Sequence, residues 1–238
     1  MKQLTTAALL LLLVAFGTSC KKELIGEGPI TSQTRTINSF EGINLKMNGN
    51  VYYKNDPVWR IEVTAKESVH SILETRVENN RLIVRYSNGK TYDNDESIRI
   101  NVFGPGVSSF ELNTSGNIYV QTKIQSPNVY LRSSGAGSIF LQDIETGTID
   151  AESTQSGRII AGAGNAITER LKTDGSGKID LSGIHAKSVT ARVVGSGDIR
   201  VRVSESLDAT LNGSGDIYFS GSPLITTHGG GSGSLVRV

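Results

Sequence analysis

Residues 174–201 read DGSGKIDLSGIHAKSVTARVVGSGDIRV, and this stretch shows one period of a repeat that runs through the second half of the chain. At each end a small residue and a glycine are followed by a variable residue and an aliphatic one. The seven copies are Ser115-Gly116-Asn117-Ile118, Ala136-Gly137-Ser138-Ile139, Ser156-Gly157-Arg158-Ile159, Ser176-Gly177-Lys178-Ile179, Ser196-Gly197-Asp198-Ile199, Ser214-Gly215-Asp216-Ile217 and Ser232-Gly233-Ser234-Leu235. Their glycines lie 21, 20, 20, 20, 18 and 18 residues apart, which is typical of successive turns of a repeat architecture.

Apolar residues alternate with polar ones on both sides of each glycine. In six units a further apolar residue follows two positions after the aliphatic one: Val120, Leu141, Ala161, Leu181, Val201 and Phe219. Four units also carry an apolar pair eight and six residues before the glycine: Val129 and Leu131, Ile149 and Ala151, Val189 and Ala191, and Leu207 and Ala209. A period of two indicates strands with one buried face, so each turn reads as strand, glycine bend, strand and return loop.

One such unit cannot bury its own apolar face, but stacked units cover one another. The sequence therefore predicts an all-β fold, a parallel β-helix or β-solenoid over residues 111–238 with turns of about 20 residues. This turn length suits a three-sided coil, and the glycines are expected where the backbone bends sharply or takes a positive φ. An antiparallel sandwich with a turn every 8 to 12 residues or so is the alternative, which the glycine period disfavours.

Residues 35–110 lack the repeat and are predicted to form a smaller β-rich N-terminal region. Its predicted strands are Ile43–Met47, Val51–Lys54, Arg60–Ala65, Arg81–Tyr86 and Ile98–Val102. A short helix fits Glu67–Glu74, and Asn79-Asn80 suits a tight turn. We expect this region to cover the open end of the solenoid, because uncovered strand edges pair with other chains.

The N-terminus has the pattern of a secretory signal. Lys2 precedes an apolar run, Ala7–Phe16, and three small residues stand before Cys20. The run is too short to span a bilayer, and the pattern indicates a lipoprotein signal peptide over residues 1–19 with a lipid attached to Cys20. Residues 20–34 mix charged residues with glycine, proline and serine, as in a flexible tether. The chain is therefore expected to be held at a membrane by its lipid anchor.

Composition excludes several classes of function. With 24 basic and 23 acidic residues the chain has no broad basic surface for nucleic acid. Its single cysteine cannot form an internal disulfide, a CxxC pair or a cysteine-only zinc site. We expect no metal, no cofactor and no nucleic acid partner.

At the level of motifs the chain resembles a known family. Phe40-Glu41-Gly42-Ile43-Asn44, Gly49-Asn50-Val51 and Leu82-Ile83-Val84, followed by the serial glycine units, are similar to the head GIN domain family of putative auto-transporter adhesins. The resemblance covers about residues 35–235. It implies a β-helical, non-enzymatic bacterial envelope protein, commonly preceded by a lipoprotein signal, and supplies no binding residues.

The residues between each glycine and aliphatic residue should form one outward column. The weak candidates for a binding strip in it are Arg158, Lys178, Asp198 and Asp216, and Lys178 should face Asp198 across one turn, about 4.8 Å away. The alternative is a solvated ladder in which each pair contributes under about 1 kcal/mol.

Catalytic and metal-binding patterns are weak. Calcium at Asp198 and Asp216 is disfavoured by the cations in the same column, and Asp93–Glu96 lacks the spacing of a calcium loop. The three histidines, His70, His185 and His228, are scattered, so no catalytic residues are assigned.

Aromatic residues of the N-terminal region could in principle stack on a sugar. Tyr52 and Tyr53 must point to opposite faces of their strand, so one of them should be exposed. Trp59, Tyr86 and Tyr92 lie nearby in sequence, and we expect these rings to pack in a core.

Together these features predict an outer-membrane lipoprotein, on the surface or the periplasmic side, that displays a non-catalytic, adhesin-like solenoid for a glycan or protein ligand. One alternative is a polysaccharide-active β-helix enzyme using Lys178, Asp198 and Asp216, which would need clustered carboxylates. Another is a structural envelope protein that assembles with copies of itself as a homo-oligomer.

Overall fold

The computed structural model describes residues 23–24, 27–87, 91–92 and 98–238, with backbone alone for residues 23–24 and 91–92. The predicted signal peptide, Cys20 and the acidic loop Asp93–Glu96 lie outside the described residues. Of the residues described, one short segment is helical, α1 at Glu67–His70, within the predicted helix.

The described elements are otherwise strands. Those of the N-terminal region are β1 Glu23–Leu24, β2 Ile30–Thr36, β3 Gly42–Leu45, β4 Asn50–Lys54, β5 Arg60–Lys66, β6 Leu73–Glu78, β7 Arg81–Tyr86, β8 Thr91–Tyr92, β9 Arg99–Phe103 and β10 Ser109–Leu112. Those of the repeats are β11 Asn117–Val120, β12 Ile124–Ser133, β13 Ser138–Leu141, β14 Ile144–Ser153, β15 Arg158–Ala161, β16 Gly164–Thr173, β17 Lys178–Val193, β18 Ile199–Leu211, β19 Ile217–Ser220, β20 Leu224–His228 and β21 Leu235–Arg237.

Each full turn of the chain contributes to three faces of a solenoid. The first face follows the repeat glycine and contains β4, β11, β13, β15, the start of β17, the start of β18, β19 and β21. The second face contains residues 124–126, 144–146, 164–166, 184–186 and 202–203. The third face contains β3, β10, the ends of β12, β14, β16, β17 and β18, and β20.

Successive turns pair in parallel on every face, and each residue pairs with the equivalent residue of the next repeat. Ile139 pairs with Ile159 on the first face, and Val129 pairs with Ile149 on the third. These pairings confirm the predicted parallel solenoid with turns of about 20 residues and rule out the antiparallel sandwich.

The segment predicted as a return loop is a strand for part of its length. Ile124 pairs with Ile144, and this second-face segment runs on into the third-face strand without a break in β12, β14 and β16. The sequence does not show this strand clearly, because the residue that pairs with Ile144 in the next turn is Gly164 rather than an apolar residue. A hydrophobic alternation interrupted by glycine reads as a loop.

The core is a set of vertical columns of aliphatic side chains inside the coil. One column contains the aliphatic residue of each unit, fully buried in six successive turns: Ile118, Ile139, Ile159, Ile179, Ile199 and Ile217. The column before the glycine contains Val129, Ile149, Val189 and Leu207, with the carboxylate of Glu169 in the turn between Ile149 and Val189. Glu169 is fully buried, and neither carboxylate oxygen has a hydrogen-bond partner among the residues that the structure describes.

The repeat glycines are required by close backbone approach. None of the seven has a positive φ, so of the two expected reasons for glycine a left-handed backbone does not apply here. A Cβ on Gly137 would lie well inside 3.0 Å of the carbonyl oxygen of Gly116 in the turn below, closer than real Cβ atoms approach other atoms. The stacked bends therefore leave no room for a side chain at this position.

Small hydroxyl residues support the bends from inside. Ser133 Oγ donates to the carbonyl of Gly137 at 3.2 Å, and Ser153 Oγ donates to the carbonyl of Gly157 at 3.0 Å. Both serines are fully buried, and these bonds satisfy their hydroxyl groups where water cannot reach.

The N-terminal region continues the stack beyond its first turn. β3 and β4 form the first turn of the stack, and β7 and β9 pair with them in parallel on the side away from the repeats. The N-terminal region therefore supplies the layer that covers this first turn. β6 then pairs antiparallel with β7, β5 with β9, and β2 with β5. The turn between β6 and β7 has positive φ at Asn79 (48°) and Asn80 (62°), as predicted for a tight asparagine turn.

Candidate functional site

The polar column predicted from the repeat lies on the outer surface of the first face. It comprises Asn117, Ser138, Arg158, Lys178, Asp198, Asp216 and Ser234, one residue from each turn. Lys178 Nζ lies 2.8 Å from Asp198 Oδ2, so the predicted contact across one turn is present. The structure thus brings the four candidate binding residues into one line on the stack.

The carboxylates and amides of the polar column bond to the backbone of the next turn. Asn117 Oδ1 accepts the N–H of Ser138 at 3.0 Å, Asp198 Oδ1 accepts that of Asp216 at 3.2 Å, and Asp216 Oδ1 accepts that of Ser234 at 2.8 Å. Each bond links two turns at the bend, beside the regular strand pairing. This part of the column therefore holds the stack together.

The electrostatics of the column follow from these contacts. Desolvation raises the pKa of Asp198, but the hydrogen bonds from Lys178 and from the Asp216 amide outweigh it, and the net pKa is lowered. Tyr218 donates its hydroxyl to Asp216 Oδ2 at 3.1 Å, which raises the pKa of the phenol. The lowered pKa favours the ionised form of Asp198. Among the described residues the side chain of Arg158 has no hydrogen-bond or ion-pair partner, so it is the candidate that projects freely from the column.

A ladder of three aromatic rings lies beside the polar column. Tyr52 stacks on Tyr119 with ring centroids 4.9 Å apart, and Tyr119 stacks on Phe140 at 5.0 Å. The guanidinium of Arg99 covers the free face of Tyr52 at 3.8 Å, and Ile160 is the next residue after Phe140. Because Tyr52 lies between Arg99 and Tyr119, and Tyr119 lies between Tyr52 and Phe140, the ladder stabilises the first face and presents the edges of these two tyrosine rings to a ligand.

Two of the other aromatic residues of the N-terminal region pack as expected for a core. Tyr53 is buried and donates its hydroxyl to the carbonyl of Gly104 at 2.8 Å. Trp59 packs against Phe40 with ring centroids 4.5 Å apart. The prediction that these rings fill the core of the N-terminal region is confirmed for them, whereas the side chain of Tyr92 lies outside the described residues.

Two grooves on the other faces were not predicted. The third-face groove, of about 400 Å³, lies between two outward columns whose members are Tyr130, Asp150 and Arg170 on one side and Glu111, Arg132, Glu152 and Lys172 on the other. The second-face groove, of about 640 Å³, runs along the column of Glu145, Asn165, His185 and Arg202. A comparison of outward positions one repeat apart could have revealed both columns, but not the depth between them.

Charges in the third-face groove are paired. Lys172 Nζ lies 2.9 Å from Glu152, and this contact raises the pKa of Lys172. Arg170 lies 3.4 Å from Asp150, and Arg81 forms an ion pair with Glu111. The ring of Tyr130 is exposed among these ion pairs. This groove therefore offers an aromatic ring to a ligand, and the positive and negative side chains around it neutralise one another.

Histidines and acidic residues form no cluster in the part of the chain that the structure describes. His70 lies on α1, His185 on the second face and His228 on β20, so the three remain apart. No group of three or more histidine, cysteine, aspartate or glutamate side chains there has the arrangement of a metal site. The described residues also contain no helix with the length and apolar character needed to cross a membrane.

Comparison with known proteins places these features in a family. Residues 39–223 match the family described as putative auto-transporter adhesin, head GIN domain. No curated protein is significantly similar to the chain in sequence.

Several solved structures share the fold. A putative adhesin from Bacteroides fragilis superposes with a TM-score of 0.83 at 20% identity, over 90% of this chain and 100% of that one. A putative lipid binding protein from Parabacteroides distasonis has a TM-score of 0.76 at 22% identity, over 91% and 100% of the two chains. A putative adhesin from Parabacteroides merdae has a TM-score of 0.71 at 18% identity, over 91% and 99%.

Proposed function

Because the chain belongs to the head GIN domain family of putative auto-transporter adhesins, we propose that it is a non-catalytic binding module displayed on the bacterial cell envelope. The family gives it an adhesin-like role at a surface or envelope. Its ligand in this proposal is a glycan or a protein, held by outward side chains of the solenoid. The adhesin-named structures that share its fold support the same reading.

The alignment of outward side chains is the observation that carries the proposal. The parallel register places equivalent residues of successive turns in straight columns, and two grooves of about 400 Å³ and 640 Å³ run between such columns. Their backbone is fixed by strand pairing, so a ligand lying along the stack meets a surface that is already ordered. Preorganisation of this kind lowers the entropic cost of binding.

The acidic residues of the polar column support binding over catalysis. An acid–base enzyme needs carboxylates that are free to reach a substrate. Here Asp198 and Asp216 accept backbone N–H groups of the next turn, and Asp198 also contacts Lys178. These bonds use the oxygens for stacking, which favours a structural role for the residues that the enzyme alternative requires.

Self-assembly is a second candidate, favoured by one observation at the last turns. β20 exposes Leu224 (83%) and Ile225 (45%), and among the described strands it pairs with β18 alone. An edge with exposed apolar side chains can pair with a second copy. Light scattering that shows a strict monomer at high concentration would remove this candidate.

Display on the envelope rests on the N-terminal sequence. The proposal is that Cys20 receives the lipid, that the residues between Cys20 and β2 link the anchor to the domain, and that the solenoid faces outward from the outer membrane. Residues 30–34 of the predicted tether belong to β2 and pair with β5. The periplasmic side is the other location that this anchor permits.

Protease treatment of intact cells, combined with palmitate labelling, tests the display. We expect wild-type protein to incorporate palmitate and to be cleaved on whole cells, and the Cys20→Ala variant to incorporate none. Labelled protein that becomes cleavable only after lysis would place the solenoid in the periplasm and contradict a role in adhesion. A cytoplasmic protein of the same cells should remain intact until lysis and serves as the control.

A further inference from the structure

The second-face groove is built from one residue of each of four successive turns. Strand register aligns Glu145 with Asn165, Asn165 with His185, and His185 with Arg202. Adjacent members are about 4.8 Å apart along the stack, so their side chains follow the length of the groove. A volume of about 640 Å³ is in the range of small-ligand sites.

The floor of the groove is ordered and carries small side chains. Thr146, Ala166, Ala186 and Val203 occupy equivalent positions in the four turns and are all buried. These short side chains keep the floor of the groove low, and the longer outward side chains on either side form its walls. The position of those walls is set by strand pairing rather than by a mobile loop.

Charge is distributed unevenly along the groove. At its lower end Glu145 is neutralised by Lys123 at 3.4 Å and accepts a hydrogen bond from Asn165 at 3.1 Å, and the pKa of Glu145 is lowered by these contacts. At its upper end the side chains of His185 and Arg202 are exposed, and among the described residues neither has a hydrogen-bond or ion-pair partner. Donors at that end are thus available to a ligand.

Two further cations lie at the upper end. Lys187 pairs with Glu205 at 3.5 Å, but both side chains are 61% exposed, so water screens this pair. Arg237 donates hydrogen bonds to the carbonyl of Gly221 and to Ser222 Oγ, two residues that line the end of the groove. Both acceptors are neutral, so they do not cancel the charge of Arg237. Lys187 and Glu205 cancel in charge, so the positive charge at this end of the groove comes from Arg202 and Arg237.

The remaining lining suits a polyhydroxylated ligand better than a protein. Asn165, Ser204 and Ser222 supply hydrogen-bonding groups, and Ile167 is a single large apolar side chain, 59% exposed, on the wall. The anchors of protein interfaces are most often Trp, Tyr or Arg, and no Trp, Tyr or Phe lines this groove. A sugar ring has apolar C–H groups and polar hydroxyl groups. An apolar side chain beside several hydrogen-bonding groups can contact both.

We infer that the second-face groove binds an acidic glycan, with Arg202 and His185 holding a carboxylate or sulfate group of one sugar and Ile167 contacting its ring. A guanidinium can donate two parallel hydrogen bonds to such a group. This inference rests on the proposed binding function and specifies its ligand class.

Titration of the purified chain with polygalacturonate, heparin and neutral dextran tests the inference. Polygalacturonate carries carboxylates alone and heparin carries sulfates as well, so the two probes separate the sources of negative charge. We expect one or both to bind and dextran not to bind. Arg202→Glu should weaken binding by about tenfold or more, because it removes the bidentate donor and adds a repelling charge.

Arg192→Glu is the matched control. It makes the same change of charge at an exposed arginine on the third face, outside both grooves. Its affinity should stay within about twofold of wild type. Equal losses in both variants would indicate general attraction of a polyanion and overturn the site, as would unchanged binding by Arg202→Glu. Binding of a neutral glycan or a protein instead would refute the acidic ligand while leaving the binding function intact.

Discussion

Gly137→Ala is expected to destabilise the solenoid by about 3 kcal/mol, the size of effect seen when a methyl group is forced into a closed site. The added Cβ would collide with the carbonyl oxygen of Gly116, a backbone atom that cannot move without separating the two turns. Stability in a repeat protein comes largely from contacts between neighbouring turns, so a separation in mid-stack affects both halves. Urea unfolding followed by circular dichroism measures the change.

Gly230→Ala is the control for this prediction. A Cβ at Gly230 has no atom within 4 Å, and this glycine has no positive φ. Its substitution should change the free energy of unfolding by less than about 0.5 kcal/mol. Equal effects of the two substitutions would show that the repeat glycines are not required by close approach, and would contradict the explanation of the repeat given above.

Glu169→Val is expected to stabilise the chain, most strongly at alkaline pH. Glu169 lies in a core column between Ile149 and Val189, where its two oxygens have no partner among the described residues. Desolvation raises the pKa of this carboxyl to about 8. Valine matches the residue that the next turn carries at the same position.

The direction of the pH dependence follows from the raised pKa. In the unfolded chain the carboxyl releases its proton near pH 4.5, whereas in the folded chain it keeps the proton to about pH 8. Between these values the folded state binds more protons, so raising the pH favours unfolding. The stability of the wild type should therefore fall by roughly 4 kcal/mol between pH 5 and pH 9 through this group, and the loss should level off above the folded pKa.

Comparison of wild type with Glu169→Val and Glu169→Gln at several pH values isolates this group. Glutamine keeps the size and polarity but cannot ionise, so both variants should lose this part of the pH dependence. Glu205→Gln, at a site 61% exposed, is the control and should follow the wild type. A wild-type profile parallel to that of Glu169→Gln would show that Glu169 is not held protonated in the core.

The first face could be predicted from the sequence because its pattern is local. A glycine, an outward residue and an inward aliphatic residue recur in every turn, and period-two alternation fixes which of them points inward. The contact of Lys178 with Asp198 followed from the same register. The N-terminal strands were predicted for similar reasons, and the structure has them at β3, β4, β5, β7 and β9.

Features that depend on neighbouring turns could not be predicted in this way. The second face was read as a loop because Gly164 interrupts its apolar column. The buried position of Glu169 was missed because a glutamate at one copy of an apolar position is normally read as an exception in the repeat. The grooves depend on the length of side chains in adjacent columns, and the backbone role of Asp198 and Asp216 depends on amide groups one turn away.

Binding of the purified chain to a broad panel of glycans and envelope or host proteins, with the bound ligands checked for cleavage, tests the central claim most directly. The claim is that this solenoid is a non-catalytic binding module. It predicts saturable binding to at least one class of ligand, recovered intact after prolonged incubation. Shortened or modified glycan in the recovered material would contradict it, and Asp198→Ala and Asp216→Ala would then show whether the polar column performs the reaction.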